Sequence, residues 1–182
     1  IQNNCFYIDK TMFIKEWWES MDSVTLITRP HRFGKTLNMS MLERFFSIKY
    51  AGMGEVFEGL SIWNDEKYRE LQGTYPVIRI KKKKIEDSIL KSEKEQIIES
   101  IKRVYLGYSF LLQSDKIVEY DKMYYERILS GEADDVDITD ALSRLSHLLY
   151  CYCGKKVIIL LDEYDILMQD SYRSKDRLAM IS

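Results

Sequence analysis

The sequence predicts an α/β domain in which a parallel, doubly wound sheet is flanked by helices. Three observations predict it. An apolar, β-rich run at residues 24–28 (VTLIT) stops at Arg29 and Pro30 and gives way to a helical stretch. A second β-rich run lies at residues 76–82, and a continuous apolar run at residues 156–162 (KVIILLD) ends in acids. Strands that alternate with helical segments need crossover connections, and right-handed crossovers build a parallel sheet covered by helices. The expected order is β, α, β, α, α, β.

After the first strand, Leu37, Met41, Leu42, Phe45 and Phe46 recur at helical spacing, so a helix is expected over residues 36–47, broken by Gly52 and Gly54. In the second strand Pro76 can take the first position, with Val77, Ile78 and Ile80 carrying the β signal. A long helix should follow, its apolar face traced by Ile85, Ile89, Ile97, Ile98, Ile101, Val104 and Tyr105. The acidic stretch 132–137 reads as a loop before a further helix, with Asp137 or Thr139 as its cap and Leu142, Leu145, Leu148 and Leu149 facing inward. The last apolar run is expected to be a strand buried on both faces.

Composition narrows the function. The 182 residues are 46% hydrophobic and 13% aromatic, enough to bury a core. With 27 basic residues against 29 acidic ones, the net charge of −2 gives no general attraction to nucleic acid or anionic lipid. Apolar runs are far shorter than the ~20 residues of a membrane-spanning helix, so no membrane partner and a cytoplasmic location are expected. Ile1 stands where a Met would open a native chain, so preceding residues are expected as well. Cys5, Cys151 and Cys153 lack the paired spacing of a zinc site, and Cys151 and Cys153 read as small packing residues near the end of a helix. His31 and His147 read as loop and helix surface, and the lysines at 81–84 as a solvated strand end.

The chemistry concentrates in Gly34, Lys35 and Thr36, placed between a predicted strand and a predicted helix. At such a junction backbone amides and the helix N-terminus converge on one spot and favour a phosphate. Gly34 permits close approach, Lys35 can reach β- and γ-phosphate oxygens, and the Thr36 hydroxyl can ligate magnesium. The usual pattern asks for glycine seven residues before the threonine, where this chain has Arg29. The expected phosphate loop is therefore a variant made of Arg29, Pro30, His31, Arg32, Phe33, Gly34, Lys35 and Thr36, with Pro30 shaping the turn and the basic residues adding positive charge.

The third strand would deliver Asp162 at its C-terminal end, the edge where parallel α/β sheets bind ligands. Asp162 would hold magnesium, and the adjacent Glu163 would orient and polarise a water for attack on the γ-phosphate. The two motifs together, Walker A and Walker B, make the fold a P-loop NTPase and the cofactors ATP and Mg²⁺. A nucleotide-gated switch with little hydrolysis of its own is the second reading.

The stretches FYIDKT, LITRPHRFGKTLNMSML, VFEGL, YPVIRI and GKKVIILLDEYD resemble the AAA-ATPase-like family of bacteria and archaea across almost the whole chain. In that family the loop typically reads RPRRFGKT, so the missing first glycine is normal there and His31 is the local departure. The resemblance implies an ATPase core, often followed in longer proteins by a nuclease-like domain of the PD-(D/E)XK type. On this reading residues 1–182 are the N-terminal portion of the ATPase domain, with later strands, a sensor residue and a transition-state arginine lying downstream or on another subunit of a homo-oligomer. Nucleic acid would be a partner through the downstream domain. The family segment containing Tyr7, Asp9, Lys10 and Thr11 is implied to lie near the nucleotide base, which makes Asp9 and Lys10 candidate ligands.

Overall fold

The computed structural model describes residues 8–27, 34–81 and 93–162. These are α/β and mostly helical, with a small parallel sheet of two strands. In chain order the elements are α1 (Met12–Ser20), α2 (Lys35–Phe46), α3 (Glu66–Leu71), β1 (Val77–Lys81), α4 (Glu93–Leu106), α5 (Glu119–Ser130), α6 (Asp135–Cys153) and β2 (Ile158–Asp162), with short 3-10 turns between them. They group into two compact units, residues 1–77 with 149–158 and residues 78–148 with 159–182.

The first unit is built on an aromatic cluster. Asn38, Leu42, Phe45 and Phe46 recur on one face of α2 and are buried. Trp18 of α1 stacks on Phe46 at 5.1 Å between ring centroids, and Trp17 meets the same ring edge-on at 5.5 Å. Edge-to-face and offset aromatic pairs add about 0.5–1.5 kcal/mol each beyond the area they bury. The C-terminal end of α2 is also fixed by its backbone: the Gly73 amide donates to the Phe45 carbonyl and the Tyr75 amide to the Phe46 carbonyl, both at 2.8 Å. Gly73 is required there, since at φ 70° a Cβ would lie 2.5 Å from the Ala51 Cα. Packing thus anchors α2 at its far end and presents its N-terminus.

In the second unit α4, α5 and the first turns of α6 enclose buried tyrosines. The Tyr105 hydroxyl donates to the Ala141 carbonyl, and the Tyr125 hydroxyl to the Tyr105 carbonyl. Arg127 of α5 grips Asp137 of α6 with two nitrogens at 3.1 and 3.2 Å, a bidentate fork. Burial pushes the hydroxyls of Tyr105 and Tyr125 well above the ordinary tyrosine range.

Several expectations are met and several corrected. The second strand and the helix after Thr36 sit where periodicity places them. Leu145, Leu148 and Leu149 are buried on α6, and Lys81 is exposed at the end of β1. The α6 cap moves to Asp134, whose carboxylate accepts the Asp137 amide at 2.8 Å, which leaves Asp137 to pair with Arg127. Helices α1, α3 and α5 were not expected. Of the predicted first strand, residues 24–27 form no strand, and Val24 and Leu26 are 87% and 58% exposed. A strand exists only through its hydrogen-bonded neighbours, and the sheet among the described residues consists of β1 and β2.

The same fact corrects the reading of β2 as buried on both faces. Leu160 is buried, while Ile159 and Leu161 are each 45% exposed, the alternation of a strand covered on one side. The face carrying Leu160 packs inward; the opposite face lacks a covering layer among the described residues. Residues 82–92, which include Ile85 and Ile89 of the expected long helix, and residue 28 lie outside the described residues, as does Cys5.

Candidate functional site

Gly34 is the N-cap of α2 and adopts φ 81°, ψ 17°, a left-handed conformation that glycine reaches without a Cβ penalty. Lys35 and Thr36 are the first two helical residues, and the Asn38 amide closes the first turn onto the Gly34 carbonyl at 2.9 Å. The first turn carries no acid and the cap contributes no side-chain hydrogen bond. A helix start normally leaves amides directed out of its end and a partial positive charge there. Lys35 adds a full positive charge and Thr36 an exposed hydroxyl-bearing side chain. Among the described residues a Cβ built on Gly34 would meet nothing within 4 Å.

Arg29, Pro30, His31, Arg32, Phe33 and Glu163 lie outside the described residues. Lys10 is exposed, and its carbonyl accepts the Phe13 amide at 3.0 Å as α1 begins. Asp9 has a well-defined set of partners. One carboxylate oxygen accepts the Thr11 amide at 2.8 Å and the Thr11 hydroxyl at 2.7 Å, and the other accepts the Ser61 amide at 2.8 Å and the Ser61 hydroxyl at 2.6 Å. Desolvation works against the charged carboxylate, but the hydrogen bonds from Ser61 and Thr11 outweigh it and hold the group far below the usual carboxylate range. Thr11, fully buried, in turn accepts the Ile62 amide at 3.2 Å. The segment implied to lie near the nucleotide base is therefore clasped to the turn Ser61–Asn64. Ser61 was missed by sequence reasoning, since nothing local marks a serine as the partner of an acid so distant along the chain.

Asp162 ends β2. Its Oδ2 pairs with an Arg79 guanidinium nitrogen at 3.2 Å, across to β1 in the same unit. The two side chains are 9% and 3% exposed, so this ion pair is held away from water. Arg79 is a second residue that sequence reasoning passed over, although an arginine flanked by isoleucines within a strand (VIRIK) is a signal that a buried charge needs a partner.

A threonine hydroxyl and an aspartate carboxylate are each oxygen donors of the kind magnesium takes, and Thr36 offers the first in one unit and Asp162 the second in the other. Among the described residues no group of three or more His, Cys, Asp or Glu side chains gathers as a metal site. Of the acids at 132–137, Asp134 caps α6, Asp135 pairs with Lys94 and Asp137 with Arg127. Among the described residues no helix is long and apolar enough to cross a membrane.

The family described as predicted AAA-ATPase matches residues 1–181. The chain belongs to the AAA-ATPase-like family. No curated protein and no solved structure matches it. In this AAA-ATPase-like chain the glycine-capped start of α2 lies in one unit and the acid at the end of β2 in the other.

Proposed function

We propose that the chain is a P-loop NTPase that binds ATP with magnesium and hydrolyses the β–γ phosphoanhydride. One observation carries the reading: in a member of a family described as predicted AAA-ATPase, Gly34, Lys35 and Thr36 stand at the first turn of a helix whose other end is fixed by packing. That arrangement supports phosphate binding, because helix dipole, amides and a lysine ammonium act on the same charge. Arg29, Pro30, His31, Arg32 and Phe33 complete the loop, and Asp9 and Lys10 serve the nucleotide on its base side.

Lys35 neutralises β- and γ-phosphate oxygens. Thr36 and Asp162 supply the oxygens for magnesium, which when bound offsets the charge that develops on the transferred phosphoryl group. Glu163 orients the attacking water and draws off its proton. Resemblance supports coupling of this cycle to a downstream nuclease-like domain, with nucleic acid as the partner, and assembly of subunits that supply an arginine in trans.

Phosphate release by the full-length protein tests the catalytic part. Glu163→Gln keeps the size and much of the hydrogen bonding of glutamate, so it should bind ATP and stop hydrolysis, whereas Asp162→Asn should weaken the magnesium-dependent part of binding. Hydrolysis by Glu163→Gln at the parent rate would remove Glu163 from the reaction and favour the nucleotide-gated switch.

A further inference from the structure

We propose that Arg79 is the counter-charge that occupies Asp162 before magnesium arrives, so that metal binding is an exchange of one cation for another on this carboxylate. The proposal rests on the assignment of Asp162 as a magnesium ligand. Arg79 sits on β1 and Asp162 at the end of β2, joined at 3.2 Å with side chains 3% and 9% exposed. Placing a carboxylate so far from water is costly without a counter-charge, and a planar guanidinium that hydrogen-bonds it is the side chain best suited to supply one. It holds the carboxylate oriented as an oxygen ligand.

The same geometry sets up competition. Oδ2 carries the guanidinium hydrogen bond, so a magnesium ion that takes this carboxylate meets a positive charge a few ångströms away in a poorly hydrated place, where repulsion is weakly screened. Arg79 must give up its hydrogen bond as the metal is bound. Arg79 is thus a positioning residue that raises the metal concentration needed to load the site and ties loading to a movement between β1 and the end of β2.

Thermal unfolding of the full chain against magnesium chloride, without nucleotide, tests this. Arg79→Met fills the space of the arginine stem and removes its charge from beside Asp162. Its melting temperature should rise with magnesium, with a midpoint roughly tenfold or more below that of the parent, the scale on which one hydrogen bond to a charged group counts. Arg79→Lys, which keeps the charge and loses the planar fork, should fall between the two and decides the matter if Arg79→Met does not fold. Adding Asp162→Asn to either variant should abolish the response. A midpoint in Arg79→Met and Arg79→Lys equal to or above that of the parent would overturn the exchange and leave Arg79 as a structural tie. Titrating the parent with magnesium and ATP keeps the two claims apart: Asp162-dependent binding there, without a shifted midpoint in the variants, sinks the exchange and spares the ATPase reading.

Discussion

Ser61 donates twice to one oxygen of Asp9, from its amide at 2.8 Å and its hydroxyl at 2.6 Å, across 52 positions of sequence. With Thr11 on the other oxygen, this makes the start of α1 a clasp on the turn that follows α2. Asp9→Ala should lower stability by about 1 kcal/mol, the modest figure reflecting how exposed the carboxylate is. The depressed folded-state pKa fixes the sign with pH. This contribution is present above the ordinary carboxylate value of 3.8 and is lost as pH falls towards the lower folded value. Urea titrations across the acid range should show the parent and Asp9→Ala converging in strong acid; a constant gap would mean that the carboxylate charge plays no part.

Gly34→Ala separates backbone strain from ligand approach. Among the described residues no atom lies within 4 Å of the new methyl, so the cost expected in the folded chain is that of the left-handed conformation, about 1 kcal/mol. Affinity for ATP with magnesium should fall further than that, because the methyl stands where a phosphate must approach the helix start. Equal losses in denaturation and in calorimetry would show that nothing approaches Gly34.

Alkaline conditions probe the second unit. Buried Tyr105 and Tyr125 keep their protons above the ordinary value of 10.0, while the same residues in the unfolded chain ionise there. Their contribution is therefore fully present below 10.0 and lost as pH rises towards the folded values. Tyr105→Phe should cost about 1 kcal/mol at neutral pH, through the lost hydrogen bond to Ala141, and lose less than the parent on going to about pH 11. Urea midpoints at the two values measure both effects, and a variant that tracked the parent in alkali would contradict them.

What the sequence reveals depends on whether the cause is local. The helix start at Gly34–Thr36 and the stripe of Leu42, Phe45 and Phe46 are readable because spacing and backbone chemistry dictate them. Helix α5 had its own signals, a buried Tyr124, Tyr125 and Ile128 face and a left-handed Gly131 cap, but they are weaker than an aliphatic stripe. Partnerships across long stretches of chain, Asp9 with Ser61 and Arg79 with Asp162, have no local cause and needed the fold. The apolar run at 158–161 misled in part, since composition shows that a strand can be buried on both faces and not whether a neighbour covers each.

Calorimetric titration of ATP with magnesium into the parent chain and into Lys35→Ala tests the central claim most directly. Lysine 35 lies in the first turn of α2 with no buried side chain to lose, so the variant should fold as the parent does. The account predicts saturable heat with the parent, dependence on magnesium, and loss of detectable binding in folded Lys35→Ala. Unchanged affinity in the folded variant would contradict the placement of the phosphates at the start of α2.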